Sequence, residues 1–252
     1  MNRPVLLQMG SKHCTMKPKE TNMKLKKTLG LATAALASSA VMSSGATYTE
    51  VGDAGQDFAS FQVTSGVGTL DQIIGATDTV GDGGVDHYLI TITDVSAFYA
   101  TTDAGQGLGT GGASYDTLLA LFLPDGTPLL RIDDTPPSGT PFHSYLSDPS
   151  TFPGAAQPSA APIPGPGDYI LAVAGFGATA NDAGGGNLFT TAGGFDQLEG
   201  PDPAAGPFDA WAPADTGTYT VELGGATFAI PEPSSLALAG LGLLGLVRRR
   251  RA

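Results

Sequence analysis

The chain has 252 residues, of which 24 are acidic, 12 are Lys or Arg and a single one is Cys. Most of the basic residues lie at the two ends, so residues 47–230 keep Arg131 against 22 acids, which gives that segment a net charge of −21. Such a surface repels nucleic acid and anionic lipid. Because Cys14 precedes the segment, disulfides and zinc–thiolate sites are excluded there.

Residues 23–46 have the three parts of a secretory signal peptide. Residues 23–27 form a basic start, residues 29–41 are an apolar run, and small residues at 44–46 suit a signal peptidase. The run is too short for a stable anchor, so we predict a signal helix that is removed after Ala46. Residues 1–22 are polar and without periodicity. We interpret them as a non-native extension from a misplaced start codon, with a long basic leader as the alternative.

From residue 47 onward, polar and apolar residues alternate with period two, which is typical of strands. Tyr88, Ile90 and Ile92 share one face of a predicted strand, and the apolar residues 117–123 predict a central strand buried on both sides. Further strands are predicted at 58–63, 71–74, 97–102, 128–132, 168–174 and 217–223, with a turn at 124–127. Residues 47–230 are therefore predicted to form one acidic, all-β sandwich of about eight strands.

Two segments of this domain predict long Gly/Pro-rich loops. Residues 135–167 include nine prolines, and residues 179–216 are rich in Gly, Asp, Ala and Pro. Loops of this length are usually functional or disordered. Within the second loop we interpret Phe208 and Trp211 as aromatic side chains that pin the loop to the sandwich, rather than as a ligand platform.

Residues 49–55, 81–92, 115–134 and 217–221 resemble a family of exported bacterial domains related to the pre-peptidase C-terminal domain. The resemblance implies a jelly-roll-like β-sandwich that is usually an accessory unit and not a catalytic one. The two long loops nearly double the usual size of that domain, so a function carried by the loops is not implied by the resemblance.

Paired aspartates in two turns offer oxygen ligands that suit calcium. The candidate metal ligands are Asp82, Asp86, Asp133 and Asp134, and further oxygens could come from Asp53, Asp57 and Asp116. The alternative is ordinary turn chemistry, because an Asp side chain caps nearby backbone N–H groups. Calcium is the one cofactor that the sequence suggests.

The segment 47–230 carries few of the residues that catalysis needs. Its only histidines are His87, which we expect at a strand start facing solvent or a carboxylate, and His143 in the Pro-rich loop. No Gly-x-Ser-x-Gly motif is present. The sequence therefore predicts a domain that is not an enzyme.

The C-terminal end, residues 231–252, combines a polar motif, an apolar run and a basic cluster. These are Pro231, Glu232 and Pro233, then the uncharged residues 234–247, then Arg248, Arg249, Arg250 and Arg251. A helix over the run would cover roughly 21 Å, less than a hydrocarbon core of about 30 Å, and the arginines would hold its end in the cytoplasm. The alternative is an ordinary anchor with an incidental Pro-Glu-Pro.

This arrangement resembles the PEP-CTERM sorting signal of Gram-negative bacteria, which a membrane peptidase called exosortase processes. The resemblance implies transient insertion in the inner membrane and then cleavage and delivery to the cell surface or extracellular matrix. We therefore expect an exported, non-enzymatic protein associated with exopolysaccharide and biofilm, with signal peptidase and exosortase as partners. The alternatives are a secreted hydrolase and a carbohydrate-binding module that uses exposed aromatic residues: Tyr99, Tyr145, Phe152 or Trp211.

Overall fold

The computed structural model describes residues 46–77, 84–103, 112–135, 143–191 and 194–231. These residues form sixteen strands and one short 3-10 helix, so the all-β prediction is confirmed. The strands are β1 (Ala46–Thr49), β2 (Gln62–Val63), β3 (Ser65–Gly66), β4 (Leu70–Thr77), β5 (Val85–Ile92), β6 (Tyr99–Thr101), β7 (Gly112–Ala113), β8 (Thr117–Phe122), β9 (Pro128–Ile132), β10 (Tyr145–Ser147), β11 (Gly167–Gly175), β12 (Ala180–Asp182), β13 (Phe208–Trp211), β14 (Gly217–Gly224), β15 (Ala226–Phe228) and β16 (Ile230–Pro231). The predicted signal helix and tail helix lie outside the described residues.

Two large sheets make up the sandwich. The first sheet has the order β1-β4-β14-β6-β10, with β7 also paired to β14, and the second has the order β15-β5-β11-β8-β9, with β2 also paired to β5. The strands β4, β5 and β6 alternate between the two large sheets, and so do β10, β11, β14 and β15, whereas β12 and β13 form a small sheet of their own. This connectivity agrees with the predicted jelly-roll-like sandwich.

The main core lies between the two sheets. Tyr88, Ile90 and Ile92 of β5 are fully buried there, as their alternation predicts, and they pack with Ile73 of β4 and Val221 of β14. Burial of large apolar side chains stabilises a fold by about 1.5 to 3 kcal/mol each, so this layer supplies much of the driving force.

The second sheet is also buried on its other face. All six residues of β8 are buried, and while Leu119 and Leu121 enter the core between the sheets, Leu118 and Phe122 belong to a second cluster. That cluster includes Trp211, which is 6% exposed, and its cover comes from the segment 176–216. The prediction that Trp211 pins this segment to the sandwich is confirmed.

Several predicted boundaries were wrong because local side-chain caps override the strand pattern. The predicted strand 97–102 begins only at Tyr99, since the Asp94 carboxylate accepts hydrogen bonds from Ser96 N and Ala97 N and starts a 3-10 helix over Val95–Ala97. The predicted strand 58–63 is limited to Gln62–Val63, because Asp57 caps a turn through Ala59 N at 2.7 Å.

The two long segments are more ordered than predicted. The Pro-rich one contains β10, which pairs with β6, and the second contains the small β12–β13 sheet. The expected count of about eight strands was too low because of these three strands and of five further short ones elsewhere: β1, β3, β7, β15 and β16. Short strands with two or three residues carry too few alternating positions to be recognised in a sequence.

Candidate functional site

The described part of the sorting tail ends in a short parallel pairing. Ile230 N donates to Thr64 O at 3.0 Å and Ala229 N donates to Thr64 Oγ1 at 3.1 Å, while Ile230 and Pro231 pair with Ser65 and Gly66 of β3. Pro231, the first residue of the predicted motif, has no N–H to donate and lies opposite Gly66 at the end of this pairing. Glu232, Pro233 and Arg248 to Arg251 lie outside the described residues.

A cluster of three carboxylates combines the segment after β1 of the first sheet with β5 of the second. Glu50 follows β1, Asp53 is three residues further on, and Asp86 lies on β5; one carboxylate oxygen from each lies within 4.8 Å of the others. Asp86 is fully buried, whereas Asp53 is exposed. Asp53 and Asp86 were among the predicted oxygen ligands, but Glu50 was not, because its approach to Asp86 is a long-range contact that no local pattern indicates.

Backbone N–H groups hold Glu50, the first member of the cluster, in place. Glu50 Oε1 accepts from Ala54 N at 3.0 Å and Glu50 Oε2 accepts from Ala76 N at 2.8 Å. A Cβ at Gly75 would overlap the Tyr219 hydroxyl and lie 2.6 Å from Glu50 Oε2, so only glycine fits beneath this carboxylate.

Two buried tyrosines connect to the third member. Tyr219 OH donates to Asp86 Oδ2 at 2.5 Å, and the hydroxyls of Tyr88 and Tyr219 are 2.6 Å apart, so Tyr88 donates to Tyr219. Burial raises the pKa of both phenols well above the ordinary value, and the Asp86 carboxylate adds to the rise. Both hydroxyls therefore stay protonated and serve as hydrogen-bond donors.

The donor set of this cluster suits a hard divalent cation. Calcium prefers several carboxylate and carbonyl oxygens in an adaptable geometry. Arg131, the only basic residue of 47–230, forms its ion pair with Glu199, with Arg131 Nε 3.4 Å from Glu199 Oε2. Glu50, Asp53 and Asp86 are thus the described residues best placed to hold a metal ion.

Of the four aspartates predicted as metal ligands, the three that the structure describes do not form one cluster. Asp86 joins Glu50 and Asp53, Asp82 lies outside the described residues, and Asp133 and Asp134 belong to another group beside Asp116. Burial raises the pKa of Asp133 to about 7; nearby Arg131 opposes the rise, while Asp116, Asp134 and Glu199 add to it. Burial also raises the pKa of Asp116 to about 6.

The expectation that His87 faces solvent or a carboxylate was wrong. Its imidazole is fully buried on the opposite face of β5 from Asp86, and Trp211 Nε1 donates to His87 Nε2 at 3.0 Å. Burial lowers the pKa of His87 to about 4, so the ring is neutral at ordinary pH. The burial of His87 could not be predicted, because the aromatic residues that cover it, Phe58 and Trp211, lie far away in the sequence.

Two of the four aromatic residues considered for sugar binding are buried. Trp211 is 6% and Phe152 9% exposed, so neither offers a face to a ligand. Tyr99 and Tyr145 are partly exposed on the neighbouring strands β6 and β10. Their rings stack with centroids 6.0 Å apart and an angle of 10° between the planes.

A groove on the outer side of the second sheet was not expected from the sequence. It is lined by residues 57–59, 125–128 and 205–209 and has a volume of about 640 Å³. The three segments are far apart in the chain, and Phe58 was assigned to a strand, so no pattern in the sequence pointed to the groove.

Comparison with known protein families decides the nature of the C-terminal segment. Residues 229–251 match the family model of the PEP-CTERM protein-sorting motif. The predicted sorting signal is confirmed, and the motif implies an exported protein that exosortase processes at the membrane. No helix of the described residues has the length and apolar character needed to cross a membrane.

No curated protein and no solved structure matches this chain. The resemblance of residues 47–230 to the pre-peptidase C-terminal domain therefore stays a prediction. The PEP-CTERM match concerns the last part of the chain, and the role of the sandwich has to be argued from its own residues.

Proposed function

We propose that this chain is a non-enzymatic protein of the cell surface or extracellular matrix of a Gram-negative bacterium, associated with exopolysaccharide. Its C-terminal tail enters the inner membrane briefly and is then cut by exosortase. The PEP-CTERM match over residues 229–251 is the observation that carries the proposal. The acidic sandwich is the delivered part, and its charge favours solubility outside the cell.

The environment of two residue types supports a non-enzymatic role. His87 is buried, neutral and hydrogen-bonded to Trp211, so it is not placed to exchange protons with a bound substrate. Arg131 is 9% exposed and paired with Glu199, so its charge balances an internal acid. Both side chains stabilise the sandwich itself.

The test is intact-mass analysis of the protein recovered from the envelope and medium of its native host. The full chain is compared with a variant that lacks residues 232–252. We expect the full chain to yield a species without the apolar run and the arginines, and the shortened variant to miss the membrane stage and reach a different destination. The shortened variant keeps Ile230 and Pro231, so its β3–β16 pairing is intact and serves as the control for folding.

Two results would contradict the proposal. One is a tail-bearing protein as the only mature form. The other is a shortened variant that reaches the same destination in the same amount. Turnover of a defined polysaccharide or peptide by the purified protein would contradict the proposal that the protein is not an enzyme, and would leave the sorting proposal unaffected.

A carbohydrate-binding module is the second candidate, and one observation favours it. The Tyr99 and Tyr145 rings stack on the outer side of the first sheet, and Glu222 lies close enough to raise the pKa of Tyr99, after the larger effect of burial. Aromatic faces beside a carboxylate can contact the C–H and O–H groups of a sugar. Loss of glycan binding in a Tyr99→Ala variant would support this candidate over a purely structural role.

We also propose calcium as a structural ion at Glu50, Asp53 and Asp86. Three carboxylates whose oxygens lie within 4.8 Å of one another repel each other strongly unless a cation or a proton reduces their charge. A bound calcium would hold the end of β1 to β5 without taking part in a reaction.

A further inference from the structure

The groove on the outer side of the second sheet has the size of a ligand site. Its volume of about 640 Å³ lies within the range of about 300 to 1,000 Å³ that is usual for such sites. It is built by three segments from different parts of the chain: the capped turn after Asp57, the hairpin turn between β8 and β9, and the start of β13.

Two aromatic rings form the apolar wall of the groove. Phe58 and Phe208 are both partly exposed and meet edge to face, with centroids 4.8 Å apart and an angle of 89° between their planes. Phe58 also packs against the buried residues His87 and Phe122, at centroid distances of 4.9 Å and 5.1 Å. The wall is therefore backed by the aromatic cluster of the second sheet, which holds it in position before any ligand arrives.

Three exposed carboxylates stand at the rim. They belong to Asp57, Asp125 and Asp209, and none of the described residues that line the groove is basic. Two of them are fixed by their own turns. Asp57 Oδ1 accepts from Ala59 N at 2.7 Å and from Ser60 Oγ at 2.8 Å, and Asp125 Oδ1 accepts from Thr127 N at 3.0 Å.

These hydrogen bonds keep the rim charged. The bond from the Ser60 hydroxyl, followed by the Ala59 N–H, lowers the pKa of Asp57, and the Thr127 N–H lowers the pKa of Asp125. Because a pKa lowered in this way favours the ionised form, the rim is negative at neutral and mildly acidic pH. The hairpin turn is itself fixed by Gly126, whose φ of 87° suits glycine and whose missing side chain leaves room for the Phe58 ring.

We propose that this groove binds a segment of polysaccharide that carries protonated amino groups. An ammonium group over an aromatic face is attracted by the ring, and carboxylates around it strengthen the attraction. The net charge of −21 on residues 47–230 repels acidic polysaccharides, so a cationic one fits the charge of the whole domain as well as that of the rim. The source of the ligand, an exopolysaccharide at the cell surface, rests on the function proposed above.

The test is isothermal titration calorimetry of the processed protein from its native host with two matched probes. One is a glucosamine oligomer, which carries an ammonium on each ring, and the other is the same oligomer in N-acetylated form. We expect the charged oligomer to bind at least about tenfold more tightly, and added salt to weaken the binding. Asp209→Asn and Phe208→Ala are each expected to lower the affinity for the charged oligomer by about tenfold or more.

Matched variants distinguish binding in the groove from a general effect of charge and from a loss of folding. Asp168→Asn removes the same charge from an exposed position on β11 and should leave the affinity unchanged. Tyr99→Ala tests the other aromatic surface and should also have no effect on this ligand. Asp209 is exposed, so its change to Asn should keep the melting temperature, and the result stays interpretable even if Phe208→Ala unfolds the domain.

Three outcomes would overturn the proposal: equal affinity for the two oligomers, a loss of affinity only in the Tyr99→Ala variant, and oligolysine binding as tightly as the sugar. The last one would assign the groove to a basic peptide. Because the assay uses purified protein, its failure leaves the sorting function untouched, and a failed sorting experiment would not alter the binding result.

Discussion

At the scale of single residues, Asp133 is a buried acid whose ionisation opposes folding. It is 6% exposed, and its pKa of about 7 lies above the ordinary value of 3.8. The folded state thus binds the proton more tightly than the unfolded chain does. The associated stability is fully present below about pH 4 and is lost as the pH rises towards 7.

We therefore expect Asp133→Asn to stabilise the protein at pH 8 relative to the unchanged chain. The difference in the free energy of unfolding between the variant and the unchanged chain should be about 1 to 3 kcal/mol more favourable to the variant at pH 8 than at pH 4. Urea unfolding at a series of pH values measures it. The same difference at both pH values would show that Asp133 is not a buried titrating acid.

His87 supplies a control with the opposite sign. Its folded-state pKa of about 4 lies below the ordinary value of 6.5, so its contribution to stability is present above pH 6.5 and is lost as the pH falls towards 4. His87→Gln, whose amide oxygen can still accept from Trp211, should flatten the acid side of the profile and leave the alkaline side unchanged. The two variants thus separate two groups whose effects overlap in the unchanged protein.

At the scale of elements, the cover over the second sheet depends on β13. Trp211 pairs with Ala180 across the β12–β13 sheet and places its indole in the second apolar cluster. Trp211→Ala should lower the free energy of unfolding by about 3 to 5 kcal/mol, because it leaves a cavity and removes the N–H donor from the buried His87. Circular dichroism is the suitable probe, since the change removes the only tryptophan of the chain.

Phe195→Ala is the matched control for this prediction. Phe195 belongs to the same cover segment but is 62% exposed, so its loss should change the free energy of unfolding by about 0.5 kcal/mol or less. Equal effects of the two substitutions would mean that Trp211 does not anchor the cover.

The elements also show which parts of the fold are readable from sequence. The strands β5, β8, β11 and β14 were predicted because each has six to nine residues, enough to show either alternating polar and apolar side chains or a continuous apolar run. The segment that covers the second sheet was predicted to be a loop, because β12 and β13 have three and four residues, too few to show a periodic pattern. The carboxylate cluster and the groove depend on contacts between distant segments, which no local pattern encodes.

At the scale of the whole molecule, the net charge of −21 on residues 47–230 favours the binding of cations. We expect calcium to raise the melting temperature well beyond what sodium achieves at equal ionic strength. A free calcium concentration about a hundred times the dissociation constant would add about 2.7 kcal/mol. In a domain of this size that corresponds to a rise of roughly 5 to 10 °C, measurable by calorimetry.

Asp53→Asn tests whether the effect belongs to the carboxylate cluster. Asp53 is exposed, so the variant should fold normally and lose most of the calcium-dependent rise. Asp168→Asn, with the same loss of charge elsewhere, should keep it. Identical melts in chelator and in millimolar calcium would rule out a structural calcium ion.

The pairing of β16 with β3 extends to Pro231, the first residue of the Pro-Glu-Pro motif. Thr64 holds Ala229 and Ile230 through its hydroxyl and its carbonyl, and Pro231 is the last residue of that pairing. A peptide-bond cut after Pro231 would therefore leave all sixteen described strands in the delivered protein. The delivered product would keep the hydrogen bonds from Ala229 and Ile230 to Thr64 that close the β3–β16 pairing.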